Sequence, residues 1–187
     1  TSDAYAPEGH VTAEESERYH ARQIEWLAGA EVDMVTATTF PRADEAIGLV
    51  RAARKAGLPV GVSFTVETDG RLATGMPLAD AVRRVDDETA GAPAYFMVNC
   101  AHPDHFFHVF DGSEWTRRVR GLRCNASRRS HAELDASTEL DDGDPEELGR
   151  LYRDLRSRMP WVNVLGGCCG SDLRHVTAIA RAASNAW

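Results

Sequence analysis

The sequence lacks any apolar run long enough for a transmembrane helix, which needs about 20 consecutive apolar residues; its longest runs are strand-sized. It also lacks a basic N-terminal stretch leading into an apolar segment, so nothing supports secretion. Cysteines are few, four in all, and have no regular disulfide spacing. That pattern predicts free thiols and a reducing, cytoplasmic setting. A concentrated basic surface is missing too: the net charge is −8, which argues against nucleic acid as a partner. Arg117 to Arg129 is locally basic, but acidic runs flank it and it reads as a solvated face. No low-complexity segment or linker divides the chain. Its 187 residues, 43% hydrophobic and 27% charged, suffice for a substantial core.

Hydrophobic periodicity and turn signals then divide the chain into alternating units. A helix is predicted after Thr12, whose hydroxyl can cap it, with Glu15 completing a capping box. Strand-like runs follow at Val32–Thr38, Val60–Val66, Ala94–Cys100, Val119–Ala126 and Val162–Leu165. Helices are expected between them, at about Ala43–Ala56, Pro77–Thr89, a short one at Pro103, Pro145–Arg158, and finally Leu173–Ala183. The polar stretch Ser127–Asp144 reads as a long loop. Strands alternating with helices predict right-handed βαβ crossovers and an α/β fold with a parallel sheet.

The polar residues of interest cluster at strand C-terminal ends: Thr38-Thr39, Ser63 and Thr65, Asn99-Cys100, Asn125, and Cys168-Cys169. That end carries the functional residues in barrels and other parallel sheets. Cys168-Cys169 sits inside Gly166-Gly167-Cys168-Cys169-Gly170, and Cys100 closes Tyr95-Phe96-Met97-Val98-Asn99-Cys100. Three strand-end thiols fit a tetrahedral zinc site with an open fourth position. The flanking glycines would allow tight turns and close backbone approach. Buried cysteines are more often plain core residues, and adjacent ones can form a vicinal disulfide. The glycine frame and the matching strand-end cysteine favour a metal. Cys124 also lies near a strand end, so sequence alone leaves the choice of three ligands open.

Met97-Val98-Asn99-Cys100 followed by His102-Pro103, together with Gly166-Gly167-Cys168-Cys169-Gly170, resembles the zinc-dependent homocysteine S-methyltransferase family. Val62-Ser63-Phe64-Thr65 and Met76-Pro77-Leu78 are similar to it as well, and the likeness runs over essentially the whole chain. The resemblance implies a (β/α)8 TIM-barrel type of fold. Only about the last five βα units would be present, as one homocysteine-binding-like domain over residues 1–187, incomplete at its N-terminus. It implies zinc held by Cys100, Cys168 and Cys169, with Thr38, Ser63, Thr65, Asn99 and Asn125 as candidate substrate-binding residues. The implied activity is methyl transfer from a sulfonium or betaine-type donor to homocysteine, giving methionine. The family usually carries a carboxylate where this chain has Thr38, which puts the usual amino-group contact in question.

Two other metal readings are weaker. His102, His105 and His108 could form an imidazole site, but they also suit an ordinary helix start. Asp141, Asp142 and Asp144 lack the spacing of a calcium loop and read as a solvated acidic turn. The competing functional reading is a non-catalytic zinc-binding barrel piece that serves as an interaction subunit. An unclosed sheet exposes edges, so self-association or completion by a further N-terminal segment is expected.

Overall fold

The computed structural model describes residues 4–7 and 9–184. Five parallel strands lie in the order of the sequence: β1 (Val35–Phe40), β2 (Val60–Phe64), β3 (Tyr95–Asn99), β4 (Val119–Cys124) and β5 (Val164–Gly167). Around them run α1 (Ala13–Gly29), α2 (Ala43–Lys55), α3 (Leu78–Thr89), α4 (Pro103–Phe106), α5 (His131–Asp135), α6 (Pro145–Arg158) and α7 (Leu173–Ser184). The α/β class and the five βα units agree with the expectation from sequence. Among the described residues no helix is long and apolar enough to cross a membrane.

Local chemistry explains the boundaries. Thr12 Oγ1 accepts from Glu15 N at 3.2 Å while Glu15 Oε2 accepts from Thr12 N at 2.9 Å, the capping box that starts α1. Such a cap contributes about 1 kcal/mol. The first turn of α2 carries Asp44 and Glu45 and its last turn Arg54 and Lys55, matching the helix dipole at both ends. Asp144 Oδ1 accepts from Glu146 N and Glu147 N, opening α6 just before Pro145.

One core joins the layers. Val62, Phe64, Phe96, Val98 and Leu122 of the sheet are buried with Ile47 and Val50 of α2, Val82 and Val85 of α3, and Leu148, Tyr152 and Leu155 of α6. Phe64 and Phe96 stack with centroids 6.1 Å apart. β2 is buried along its whole length, whereas β1 buries only its end residues Val35 and Phe40 and leaves Thr36 and Thr38 exposed. That contrast separates an inner strand from an edge strand. Neither β1 nor β5 has a second strand partner among the described residues, so the sheet is open at both sides.

Several boundaries differ from those expected, and β2 and β4 end two residues early, at Phe64 and Cys124. β1 runs later, to Phe40, and its register with β2 breaks between Ala37 and Phe40, where Thr39 has φ +65°. β5 is likewise shifted, to Val164–Gly167. The predicted loop at 127–144 contains α5, begun by a second capping box between Ser130 and Glu133. The basic segment is less free than a solvated face: Arg118 pairs with Asp86, Arg128 with Asp104 and Glu147, and Arg129 with Asp141.

Candidate metal centre

Cys100 follows the last residue of β3, and Cys168 and Cys169 follow the end of β5. The strands are parallel, so all three thiols arrive at the same end of the sheet. Their Sγ atoms lie within 4.8 Å of one another, with Cys100 and Cys169 3.9 Å apart. Three sulfurs at about 2.3 Å from a tetrahedral zinc would be about 3.8 Å from each other. The donor set and its spacing therefore fit such an ion.

Two asparagines organise the strand ends. Asn125 Nδ2 donates to the carbonyl of Cys100 at 3.0 Å, and its Oδ1 accepts from Cys169 N at 3.1 Å. One amide thus ties together two segments 69 residues apart. Asn99 Oδ1 accepts from Ser63 Oγ at 2.6 Å and Thr39 N at 2.9 Å, while its Nδ2 donates to Thr39 Oγ1 at 2.8 Å. That side chain meets the Thr39 amide where the β1–β2 register breaks, as bulges beside functional sites often do.

The backbone is bent at both cysteine segments. Cys100 has φ +55°, a left-handed conformation that costs a non-glycine residue of order 1–3 kcal/mol. Among the glycines of the Gly-Gly-Cys-Cys-Gly segment, Gly170 has φ +75° and a Cβ there would lie 2.7 Å from the carbonyl oxygen of Asp141. A Cβ on Gly167 would collide with the Ser171 side chain, but one on Gly166 would meet only ordinary contacts. The turn thus needs two of the three glycines that flank the cysteines.

The sulfurs are electrostatically unequal. The Cys100 thiol is lowered to about 5, chiefly by a hydrogen bond from Cys168, with Tyr5 and Asn99 adding to it against the cost of burial. Cys168 is raised because it supplies that hydrogen bond and is itself partly buried; burial and the neighbouring Cys100 raise Cys169. The group therefore favours one thiolate hydrogen-bonded by its neighbours.

The remaining candidates divide clearly. Cys124 lies in the apolar core, pushed up to about 12 by burial, and its backbone N donates to the Tyr152 hydroxyl at 3.0 Å. It is not part of the thiol group. Thr65 is buried and its Oγ1 has no hydrogen-bond partner among the described residues. Asn99 exchanges hydrogen bonds with Thr39 rather than Thr38, which lines a neighbouring cleft of about 490 Å³ with Tyr19, His20 and Glu45. The histidines do not converge: His102 Nδ1 accepts from Asp104 N, His105 Nε2 faces the Arg128 carbonyl and His108 Nε2 that of Asp69. The acidic trio is equally occupied. Asp141 accepts from Ser127, Asp142 pairs with Arg174, and Asp144 caps α6.

Sequence reasoning missed three neighbours of the centre. His131 on α5 points Nε2 at the Cys100 carbonyl, 2.6 Å away, and Nδ1 at Glu67 Oε1, 3.2 Å away. The ring of Tyr5 lies on His131 with centroids 4.0 Å apart, and its phenol hydrogen-bonds to Cys100. The Ser130-x-x-Glu133 capping signal could have revealed α5 and hence placed His131 on a helix.

A family model described as homocysteine S-methyltransferase matches residues 1–183. The chain belongs to the homocysteine S-methyltransferase family. It is 28% identical over 188 residues to homocysteine S-methyltransferase 4 of Zea mays, covering 94% of this chain and 52% of that one. Its fold is similar to that of the homocysteine methyltransferase MmuM from Escherichia coli. The metallated form aligns with a TM-score of 0.70 at 19% identity, over 95% of this chain and 55% of that one. The apo form gives 0.68 at 18% identity, over 92% and 59%. The family member described here spans about half the length of these relatives, and its five βα units correspond to part of a TIM-barrel-type homocysteine methyltransferase.

Proposed function

We propose that this chain carries the zinc-binding part of a methyltransferase that moves a methyl group from a sulfonium or betaine-type donor to the thiol of homocysteine, giving methionine. Cys100, Cys168 and Cys169 would hold the zinc. The observation that carries this reading is the mutual approach of three Sγ atoms within 4.8 Å at one end of the sheet. Zinc in that position would keep the substrate sulfur deprotonated near neutral pH.

The residues of the chain supply order around that sulfur. Asn125 holds the two cysteine segments in register. Ser63, Asn99 and Thr39 form a hydrogen-bonded floor beside Cys100, and Thr65 brings a buried hydroxyl that has no partner among the described residues. With Ser63, Asn99, Thr65, Thr38 and Asn125, this is the group we assign to substrate binding and orientation. In the reaction the homocysteine sulfur forms a bond to the donor methyl carbon. The bond from that carbon to the donor sulfur or nitrogen breaks, its electron pair staying on the donor and neutralising the positive charge. No general base is needed once the thiol has lost its proton.

A second reading is a zinc-binding piece without catalysis, acting as an interaction subunit. Thr38 at the carboxylate position and the open sheet favour it. Metal analysis of the protein purified under reducing conditions, joined to a methionine-forming assay with homocysteine and S-methylmethionine or betaine, separates the two. About one zinc per chain, lost in Cys168→Ala and Cys169→Ala, is expected. Unchanged zinc in both variants would remove the thiolate site, and bound zinc without methionine would favour the interaction subunit.

A further inference from the structure

Cys100 meets the other two cysteines from a left-handed turn that closes β3. Its carbonyl leaves the sheet ladder there and is met by two donors, Asn125 Nδ2 at 3.0 Å and His131 Nε2 at 2.6 Å. A carbonyl oxygen has two lone pairs, and both are engaged. Since a carbonyl only accepts, Nε2 of His131 must carry a proton. Its other ring nitrogen faces Glu67 Oε1 at 3.2 Å, an ion pair whenever the imidazole is doubly protonated. His131 is buried, with Tyr5 lying on its ring. Glu67 belongs to the turn after β2, where its backbone N donates to the Arg71 carbonyl at 2.7 Å.

This contact chain draws the loops after β2 and β4 onto the loop after β3. None of its side chains belongs to the thiol group, and nothing in the methyl-transfer chemistry above uses Glu67 or His131. Their geometry has the form of an outer partner that fixes a metal-binding segment, here acting on a cysteine's backbone rather than on a ligand ring.

We propose that Glu67 and His131 are positioning residues of the cysteine centre: they hold the Cys100 turn so that its sulfur meets Cys168 and Cys169, and so set the affinity of the site for a thiophilic divalent cation. The inference rests on the zinc reading. Its test is zinc titration of the full chain against a chromophoric chelator, with the thermal midpoint of the metal-free protein recorded alongside. Glu67→Leu and His131→Leu should weaken zinc binding by about 10–100-fold, the usual effect of removing such a partner. Glu67→Gln keeps an amide that can hydrogen-bond to Nδ1 through its oxygen or its NH2, and His131→Gln keeps an N–H that can reach the carbonyl. Both should stay within about threefold of the unaltered protein, since the positioning bond survives. Should His131→Leu fail to fold, the comparison of Glu67→Gln with Glu67→Leu still decides the matter.

Equal zinc affinity in all variants would overturn the inference while leaving the zinc site intact. Equal weakening in leucine and glutamine variants, tracking a fall in the metal-free thermal midpoint, would overturn it as general destabilisation. An unaltered protein that binds no zinc would remove the zinc reading itself, and the inference with it.

Discussion

At the scale of single residues, the four cysteines show how little composition says about role. Cys100, Cys168 and Cys169 gather at one end of the sheet, whereas Cys124 packs into the core under the Tyr152 hydroxyl. Cys124 should therefore resist alkylation of the native protein and label only after unfolding, as its burial and its thiol near 12 require. Peptide mapping after iodoacetamide treatment with and without denaturant checks this; rapid native labelling of Cys124 would mean that the core beneath β4 opens readily. The three cysteines of the centre were legible in the sequence because glycines and strand ends mark them. The ambiguity over Cys124 was not resolvable there, since Cys124 and Cys100 both end strand-like runs. Glu67, His131 and Tyr5 were illegible for a related reason: His131 meets a backbone carbonyl, which has no sequence signature, and Glu67 and Tyr5 meet His131 from segments distant along the chain.

At the scale of elements, the alternation of strand and helix was legible because buried parallel strands and capped helices leave strong local marks. Element ends were less so. The late finish of β1 depends on Asn99, a side chain 60 residues away, meeting the amide of Thr39. The start of α7 shows a different local device. Asp172 accepts from the backbone of Arg174 and faces Nδ1 of the buried His175, whose Nε2 faces the Asp142 carbonyl at 2.7 Å. The His175 hydrogen bond, helped by Arg174, holds the Asp172 carboxyl at about 2, below its ordinary value of 3.8. A depressed carboxyl contributes stability above its unfolded value and loses it as pH falls through the folded one. Asp172→Asn keeps the backbone cap but removes the charge. The stability gap between the two proteins should thus be full at pH 5 and close between about pH 4 and pH 2. Urea unfolding across that range measures it, and a gap independent of pH would show that the charge contributes nothing.

At the scale of the whole molecule, the open sheet decides behaviour in isolation. A closed barrel has no strand edges, whereas β1 has one edge without a strand partner among the described residues, beside apolar Ile24 and Leu27 of α1. A second copy of the chain is the partner we expect at that edge when the protein is studied alone. Light scattering should give a mass that rises with concentration, and Thr36→Lys, a charge on an exposed edge position, should hold the mass near that of one chain. Identical behaviour of the two proteins would locate association elsewhere. The sequence revealed five units by counting strands, but that β1 and β5 would be the two edge strands followed only from the sheet order.

The separation between Cys100 and Cys169 has one more consequence. An ion gripping both sulfurs would tie a knot across 69 residues, much as a cross-link does. The chain entropy removed from the unfolded state by closing a loop of that length is worth about 4 kcal/mol. Because β5 has no second strand neighbour among the described residues, the metal would serve as its missing flank: occupancy would be recorded in how slowly the amides of β5 exchange with solvent.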